Sequence, residues 1–205
     1  EPGETLTSAP NEDEKFLAKL DWTINDRHRA ALTYTYNDGF NITEPDDRPT
    51  SYEFSNHFYE RGAKLESYAG AVFSDWTDNF STEARVTYLK LANRQISVAG
   101  TEFGEIQIQD GANTIYLGAD DSRHANQLSY DSLSFRLRGD YRLDAHTLTA
   151  GFETETLDVF NLFGQDSQGE YIFSSIADFR NGNPNRVTLK NASTLDINDA
   201  AANWG

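Results

Sequence analysis

The chain has 205 residues and no cysteine, and its 17 basic and 33 acidic side chains give a formal net charge of −16. The missing cysteines exclude disulfide bonds and thiolate metal sites, and the acidity excludes the basic surface that a nucleic-acid partner requires. The charge is consistent either with simple solubility or with acidic loops that bind cations.

Three hairpins of alternating apolar and polar residues are predicted in chain order, and a very short polar turn joins the two strands of each. The predicted hairpins cover residues 14–36, 61–91 and 130–160. When the chain is aligned on the turn residues Asp26, Asp78 and Asp144, the three returning strands keep one register. One face is largely apolar and the other largely polar, which is the period-two pattern of a β-strand. The apolar face carries Ala30, Leu32, Tyr34, Thr82, Ala84, Val86, Leu148, Ala150 and Phe152.

Long polar loops are predicted to separate the hairpins. They cover residues 37–60, 92–129 and 164–205. Loops of such length are uncommon in a compact soluble domain, whereas short turns at one end and long loops at the other are typical of an outer-membrane β-barrel. A short alternating stretch from Phe103 to Gln109 predicts a hairpin inside the second loop. In the third loop, Tyr171, Phe173 and Ile176 are expected to pack locally.

The third hairpin has four charged residues on one face, which are the first candidates for ligand contact. They are Arg136, Arg138, Glu153 and Glu155. Such a face is natural in the polar lumen of a wide barrel, and Leu137 and Phe152 would then face lipid, with Trp22 and Tyr141 near the aromatic girdle at the short-turn end. The alternation by itself is equally consistent with a soluble antiparallel sheet that has one wet face.

The second loop contains another group of candidate ligand-contact residues. They are Asp120, Asp121, Arg123 and His124. His124 is a candidate contact for a ligand or a metal, but no metal-ligand spacing supports a metal site, so a solvated charged loop is the simpler interpretation. No nucleophile elbow or phosphate-binding glycine motif is present. We therefore predict no enzymatic activity, no catalytic residue, no cofactor and no metal site.

Several segments resemble the barrel region of TonB-dependent outer-membrane receptors, and among these the large Oar-like receptors with an N-terminal carboxypeptidase-regulatory-like module. The segments are KLDWTINDRHRAALTYTYNDG, DDSRHANQLSYDSLSFRLRGDY and LDVFNLFGQDSQGEYIFSSIADFRNGNP. The resemblance covers roughly residues 14–204 and includes neither the plug domain nor the strand that closes such barrels. Because the chain lacks methionine and begins at Glu1, we expect an excised or processed piece of a longer protein.

The resemblance implies a receptor in the outer membrane of a Gram-negative cell that imports a scarce or large ligand of unknown identity. Its partners would be the outer-membrane lipid and, through the missing plug domain, the TonB complex that supplies energy. No nucleic acid is expected among its partners.

Together these patterns predict an all-β fold in which antiparallel up-and-down strands with short turns and long loops form part of a transmembrane β-barrel. Residues 1–205 would be a single piece of that barrel with six strands. The predicted function is the wall of a TonB-dependent receptor or transporter. The alternative is a soluble all-β binding module, for example a carbohydrate-binding one. The two differ in whether the apolar strand faces point away from the chain's own interior or are buried against one another.

Overall fold

The computed structural model describes residues 10–190, and nearly all of its regular structure is β-strand. The strands are β1 (Asn11–Asn25), β2 (His28–Thr43), β3 (Ser51–Glu53), β4 (Tyr59–Asp75), β5 (Phe80–Ser97), β6 (Glu105–Asp110), β7 (Asn113–Leu117), β8 (Ala125–Leu143), β9 (His146–Gly164), β10 (Glu170–Phe173) and β11 (Arg186–Thr188). A short helix, α1, spans Ile176–Arg180. Among the residues described, no helix has the length and apolar character needed to cross a bilayer.

The six long strands form one antiparallel sheet in the order β1-β2-β4-β5-β8-β9, with β1 and β9 at its edges. Consecutive long strands are neighbours, and only two residues separate β1 from β2 and β8 from β9. Asp144 adopts a left-handed conformation with φ of 52° in the second of these turns. The all-β, antiparallel up-and-down architecture predicted from the sequence is therefore confirmed.

Pairing across the large sheet aligns side chains of one kind into continuous rows, because side chains alternate between the two faces of each strand. One row is apolar on every strand: Trp22, Ala30, Val72, Ala84, Leu137 and Phe152. The adjacent row lies on the opposite face and is polar at both ends: Asp21, Ala31, Ala71, Arg85, Arg136 and Glu153. Leu137 and Arg138 thus lie on opposite faces, as the sequence predicts.

The apolar face of the large sheet is not covered by any other described part of the chain. Leu32 on β2 is 60% exposed and Leu137 on β8 is 44% exposed, although both strands have a neighbour on each side. In a soluble sandwich these side chains would be buried against a second sheet. Within the described residues, the apolar strand faces therefore point away from the chain's own interior.

The long strands extend further into the loops than the sequence predicts. β2 continues to Thr43 and pairs with β4 along its whole length, so residues 37–43 belong to a strand and not to the first loop. Similarly, β5 runs to Ser97 and β8 begins at Ala125. The backbone ladder continues because partner strands satisfy its hydrogen bonds, whereas the solvated side chains beyond the apolar rows lose the alternating pattern that marks a strand.

The three long loops assemble into a second sheet, which we call the loop sheet, in the order β11-β10-β6-β7-β3. Strand β3 comes from the first loop, β6 and β7 from the second, and β10 and β11 from the third. The β6–β7 hairpin is the one expected near Phe103 to Gln109, and the β3–β7 and β6–β10 pairs are parallel. The part of the third loop beyond residue 190 lies outside the described residues.

The buried apolar residues lie in the loop sheet and at its junction with the large sheet. They are Phe58, Tyr59, Ile108, Tyr116, Ala119 and Phe173. The local packing expected for Phe173 is observed, since its ring meets that of Phe179 edge-on at a centroid distance of 5.2 Å. Within residues 10–190, the core therefore lies at the long-loop end, and the large sheet has no core of its own.

Candidate functional site

The structure places the four charged candidates of the third hairpin on the polar face of the large sheet. Arg136 is paired with Glu153 across β8 and β9, and it faces Arg85 on the other side. Arg138 donates to the carboxylate of Asp140 at 3.0 Å. The carboxylate of Glu155 accepts a hydrogen bond from the Ser132 hydroxyl at 2.6 Å.

An open depression of about 290 Å³ lies beside Arg136, Arg138 and Glu153. Gly151 pairs with Arg138 across the strands, and its missing side chain leaves space between the charged groups. Both signs of charge border this space. The polar face thus offers hydrogen-bond donors and acceptors to a hydrated solute.

The four candidates of the second loop surround a single 3₁₀ turn, Asp121–Arg123, where the loop sheet meets the large sheet. Asp120 and His124 are each only 6% exposed. The interpretation of this segment as a solvated charged loop is therefore wrong. The reason is long-range folding. The turn packs against the long strands β5, β8 and β9, while Glu105 and Gln168 of the loops bind Asp121 and His124, although the segment itself has the composition of a surface loop.

His124 has a structural role in this arrangement. Its Nε2 atom lies 3.1 Å from the Ala119 carbonyl and its Nδ1 atom accepts a hydrogen bond from the backbone N–H of Gln168 at 3.3 Å. Since a carbonyl can only accept, the proton is on Nε2. Burial lowers the pKa of His124, which favours this neutral form. Both ring nitrogens are occupied, so His124 has no free atom for a ligand or a metal.

Arg123 connects the turn to the large sheet. Its guanidinium lies over the ring of Tyr59 at 4.3 Å from the centroid and contacts the side-chain oxygen of Gln95. Its Nε atom is 3.5 Å from the carboxylate of Asp120. Arg123 is therefore held by packing and charge together at this junction.

A cluster that sequence reasoning missed lies beside Asp120. We call it the acid–histidine cluster, and it consists of Asp46, Glu53, His57, Glu105 and Asp120. Strand pairing explains its assembly, because β3 lies parallel to β7 with Glu53 opposite Tyr116. This brings the turn that ends at His57 against β7, where the imidazole stacks on the Tyr116 ring at 5.1 Å.

His57 is completely buried at the centre of the cluster. Its Nδ1 atom lies 3.0 Å from the Gly118 carbonyl, and its Nε2 atom lies 3.3 Å from Asp46 Oδ2 and 3.8 Å from Glu53 Oε2. Burial alone lowers the pKa of His57, but the hydrogen bond to Asp46 and the nearby charges of Glu105 and Asp120 outweigh it and raise the pKa.

The carboxylates of the cluster are costly to bury. Burial raises the pKa of Glu53 and of Glu105 to about 7 in each case. Burial also raises the pKa of Asp120, and the neighbouring charge of Asp121 adds to the effect. Two like charges about 5 Å apart repel by roughly 3 kcal/mol at an effective dielectric constant of 20. The cluster thus favours whatever positive charge can enter it.

Two sets of side chains have the spacing of metal ligands. Ligand atoms of Asp46, His57 and Asp120 all lie within 4.8 Å of one another, and the same holds for Glu105, Asp120 and Asp121. Sequence spacing gave no sign of the first set because its members come from two different loops, and in the second set Glu105 is distant along the chain from Asp120 and Asp121. Only the general expectation that the acidic loops bind cations pointed in this direction.

Comparison with known proteins agrees with the fold and gives little beyond it. No protein-family model and no curated protein matches the chain. Among solved structures, the chain is similar to the outer membrane transporter YddB from Escherichia coli, with a TM-score of 0.57 and 14% sequence identity. The similarity covers 81% of this chain and 21% of the transporter, so the chain spans about a fifth of that protein's length. The chain therefore has the antiparallel, all-β fold of part of an outer membrane transporter.

Proposed function

We propose that the chain forms part of the wall of a TonB-dependent receptor in the outer membrane, which binds and imports a scarce or large ligand. The observation that supports this most directly is the large sheet, whose apolar face is exposed on all six strands while its opposite face is polar. A transmembrane barrel strand has this alternation, with lipid on one side and a wet lumen on the other.

The apolar band has the height of a bilayer. On β8 the apolar face extends from Leu133 to Tyr141, and a spanning strand needs about 9–11 residues. At the long-loop end a row of tyrosines crosses three strands, and the rings of Tyr34 and Tyr68 are 4.9 Å apart. The next row outward is charged: Glu66, Lys90, Asp131 and Asp158. Aromatic residues followed by charges are typical of a membrane interface.

The polar face then lines the path of the ligand. Arg136, Arg138, Glu153 and Glu155 lie on this face, and the loop sheet lies at the outer end of the same strands. Selection of a ligand would occur among the loops, followed by contact with the charged wall. Energy for import would come from the TonB complex acting through a plug domain in the longer protein.

A pair of labels tests whether the apolar face meets lipid. We expect a fluorophore at position 137 of the full-length protein in vesicles to be quenched by lipid-soluble quenchers, and one at position 138 by aqueous quenchers. The two positions are neighbours on β8, so strand and depth are matched and only the face differs. If the label at 137 is shielded from both agents, that side chain is buried in protein, and the proposed membrane wall is wrong.

Epitope tags test the orientation of the chain in the membrane. Asp110 ends β6 at the tip of the β6–β7 hairpin of the loop sheet, and Asp144 lies in the short turn between β8 and β9. Long loops of outer-membrane barrels face the outside and short turns the periplasm. We therefore expect antibody to label intact cells with a tag at Asp110 and to label cells tagged at Asp144 only after permeabilisation. The reverse pattern would overturn this orientation.

A further inference from the structure

We propose that the acid–histidine cluster binds one divalent metal ion of the kind that accepts both imidazole and carboxylate ligands, such as Mn²⁺ or Zn²⁺. The ligands would be Asp46, His57 and Asp120, with Glu53 as a further oxygen donor. This site is independent of the proposed role in import, and it lies outside the apolar band.

The tautomer of His57 is the first observation. The Gly118 carbonyl can only accept a hydrogen bond, so Nδ1 of His57 carries the proton that points to it. The neutral ring then directs the lone pair of Nε2 toward Asp46 Oδ2, another acceptor, at 3.3 Å. A cation between these atoms is required, either a proton or a metal ion. Histidine ligands of metals usually donate their second ring N–H to a carbonyl or a carboxylate, as His57 does here.

Glu53 is the second, independent observation. Its side chain is 4% exposed, and its Oε2 atom is buried without a hydrogen-bond partner within the described structure. Its other oxygen accepts the backbone N–H of Asp46 at 2.9 Å. A single proton on His57 Nε2 can be donated to Asp46 Oδ2, which lies 3.3 Å from Nε2. Glu53 Oε2 lies 3.8 Å from the same nitrogen and stays without a hydrogen bond. A metal ion offers several coordination positions and accounts for both oxygens.

The distances suit a metal. Ligand atoms 3.3 Å apart, each about 2.1 Å from a common ion, subtend an angle of roughly 105°, close to the tetrahedral value. One nitrogen and several carboxylate oxygens form a donor set that Mn²⁺ and Zn²⁺ both accept. Asp46 is 21% exposed at its side chain, which gives an ion a path from solvent into the otherwise buried cluster.

The charge of the cluster favours a divalent ion over a proton. Its four carboxylates, on Asp46, Glu53, Glu105 and Asp120, are countered within the described residues by Arg123 beside Asp120 and by Arg48, which lies 3.8 Å from Asp46. With a neutral His57, two negative charges remain for a divalent ion to balance. Because Asp46 and His57 belong to the first loop and Asp120 to the second, a bound ion would hold the two loops together.

Manganese binding to the full-length protein in detergent tests the proposal directly. After treatment with a chelator, we expect the protein to take up one Mn²⁺ per chain, measured by loss of the free-ion signal in electron paramagnetic resonance. Pulsed spectra of the bound ion should show coupling to one imidazole ¹⁴N, which changes when histidine is labelled with ¹⁵N. Absence of uptake at millimolar Mn²⁺, or bound Mn²⁺ without nitrogen coupling, would overturn the proposal.

Matched variants locate the site. His57→Asn keeps a donor for the Gly118 carbonyl but removes Nε2, and we expect more than about tenfold weaker binding, since even supporting residues of metal sites contribute that much. Asp120→Asn should weaken binding similarly. Asp166→Asn is the control, because Asp166 is a buried carboxylate of the same region that pairs with Lys190 at 2.8 Å and not with the cluster. Equal binding by all three variants would place the ion elsewhere.

Discussion

Leu137→Arg is expected to destabilise the full-length protein in a bilayer by about 2–4 kcal/mol, the cost of arginine on the lipid face of a barrel near the midplane. Leu137 lies midway along the apolar band of β8, between Ala84 and Phe152 on the neighbouring strands. None of these neighbours offers an acid to pair with a guanidinium. The measurement is the free energy of unfolding from reversible denaturant titration in lipid vesicles.

Arg138→Gln is the matched control for that substitution. Arg138 lies on the polar face, is partly exposed, and forms an ion pair with Asp140 at 3.0 Å. An exposed pair of this kind contributes at most about 1 kcal/mol, so the glutamine variant should lose no more than that. Leu137→Arg would also destabilise a soluble sandwich in which Leu137 was buried. The free energy of unfolding is therefore interpreted together with the quenching of the labels at positions 137 and 138. Similar losses for the two variants would contradict the assignment of the faces.

Gly104→Ala is expected to open the loop sheet, with a local loss of about 3 kcal/mol or more. A Cβ atom at Gly104 would lie 2.0 Å from the Gly169 carbonyl oxygen and 2.5 Å from that of Gln168. The obstacle is backbone, which cannot rotate away as a side chain could, so the β6–β10 pairing must separate. The backbone N–H of Glu105 donates a hydrogen bond to the same Gly169 carbonyl at 3.0 Å. Faster hydrogen exchange of this backbone amide would report the opening.

Gly100→Ala is the control that distinguishes a steric clash with the backbone, as at Gly104, from the strain of a left-handed residue. Gly100 has φ of +76° and no atom within 4 Å of a Cβ at that position, so its variant carries only the strain of a left-handed residue. That strain is roughly 1–2 kcal/mol. We expect the exchange of the Glu105 amide to be unchanged in Gly100→Ala. If both variants accelerate it equally, the contact between Gly104 and the Gly169 carbonyl does not hold the loop sheet together.

The large sheet could be predicted because its information is local. Two-residue periodicity places Leu137 and Arg138 on opposite faces whatever the rest of the chain does. The short turns at Asp26 and Asp144 leave little freedom in how the strands pair, so the register follows from the hairpins themselves. The strand ends were less predictable. Residues 37–43 of β2 lie beyond the apolar band, where solvated side chains follow no alternation but the ladder of hydrogen bonds continues.

The placement of the charged candidate residues on the polar face was also predictable from local periodicity. Arg136 and Glu153 were assigned to one face by periodicity, and the structure pairs them directly across β8 and β9. The loop candidates were different. Asp120 and His124 lie in a segment with the composition of a surface loop, yet they are buried, because the turn between them packs against β5, β8 and β9 and against the other loops.

By itself, the sequence determined the large sheet: six strands, their faces, their turns and the end at which the long loops lie. Only the tertiary structure decided what the loops form. The parallel pairs β3–β7 and β6–β10 join segments from different loops, and no local pattern encodes such a pairing. The burial of His57 among Asp46, Glu53 and Asp120 follows from it. The alternation that predicts a strand depends only on residues that are neighbours in the sequence. The burial of charged side chains depends on distant parts of the chain, which must come together to exclude water.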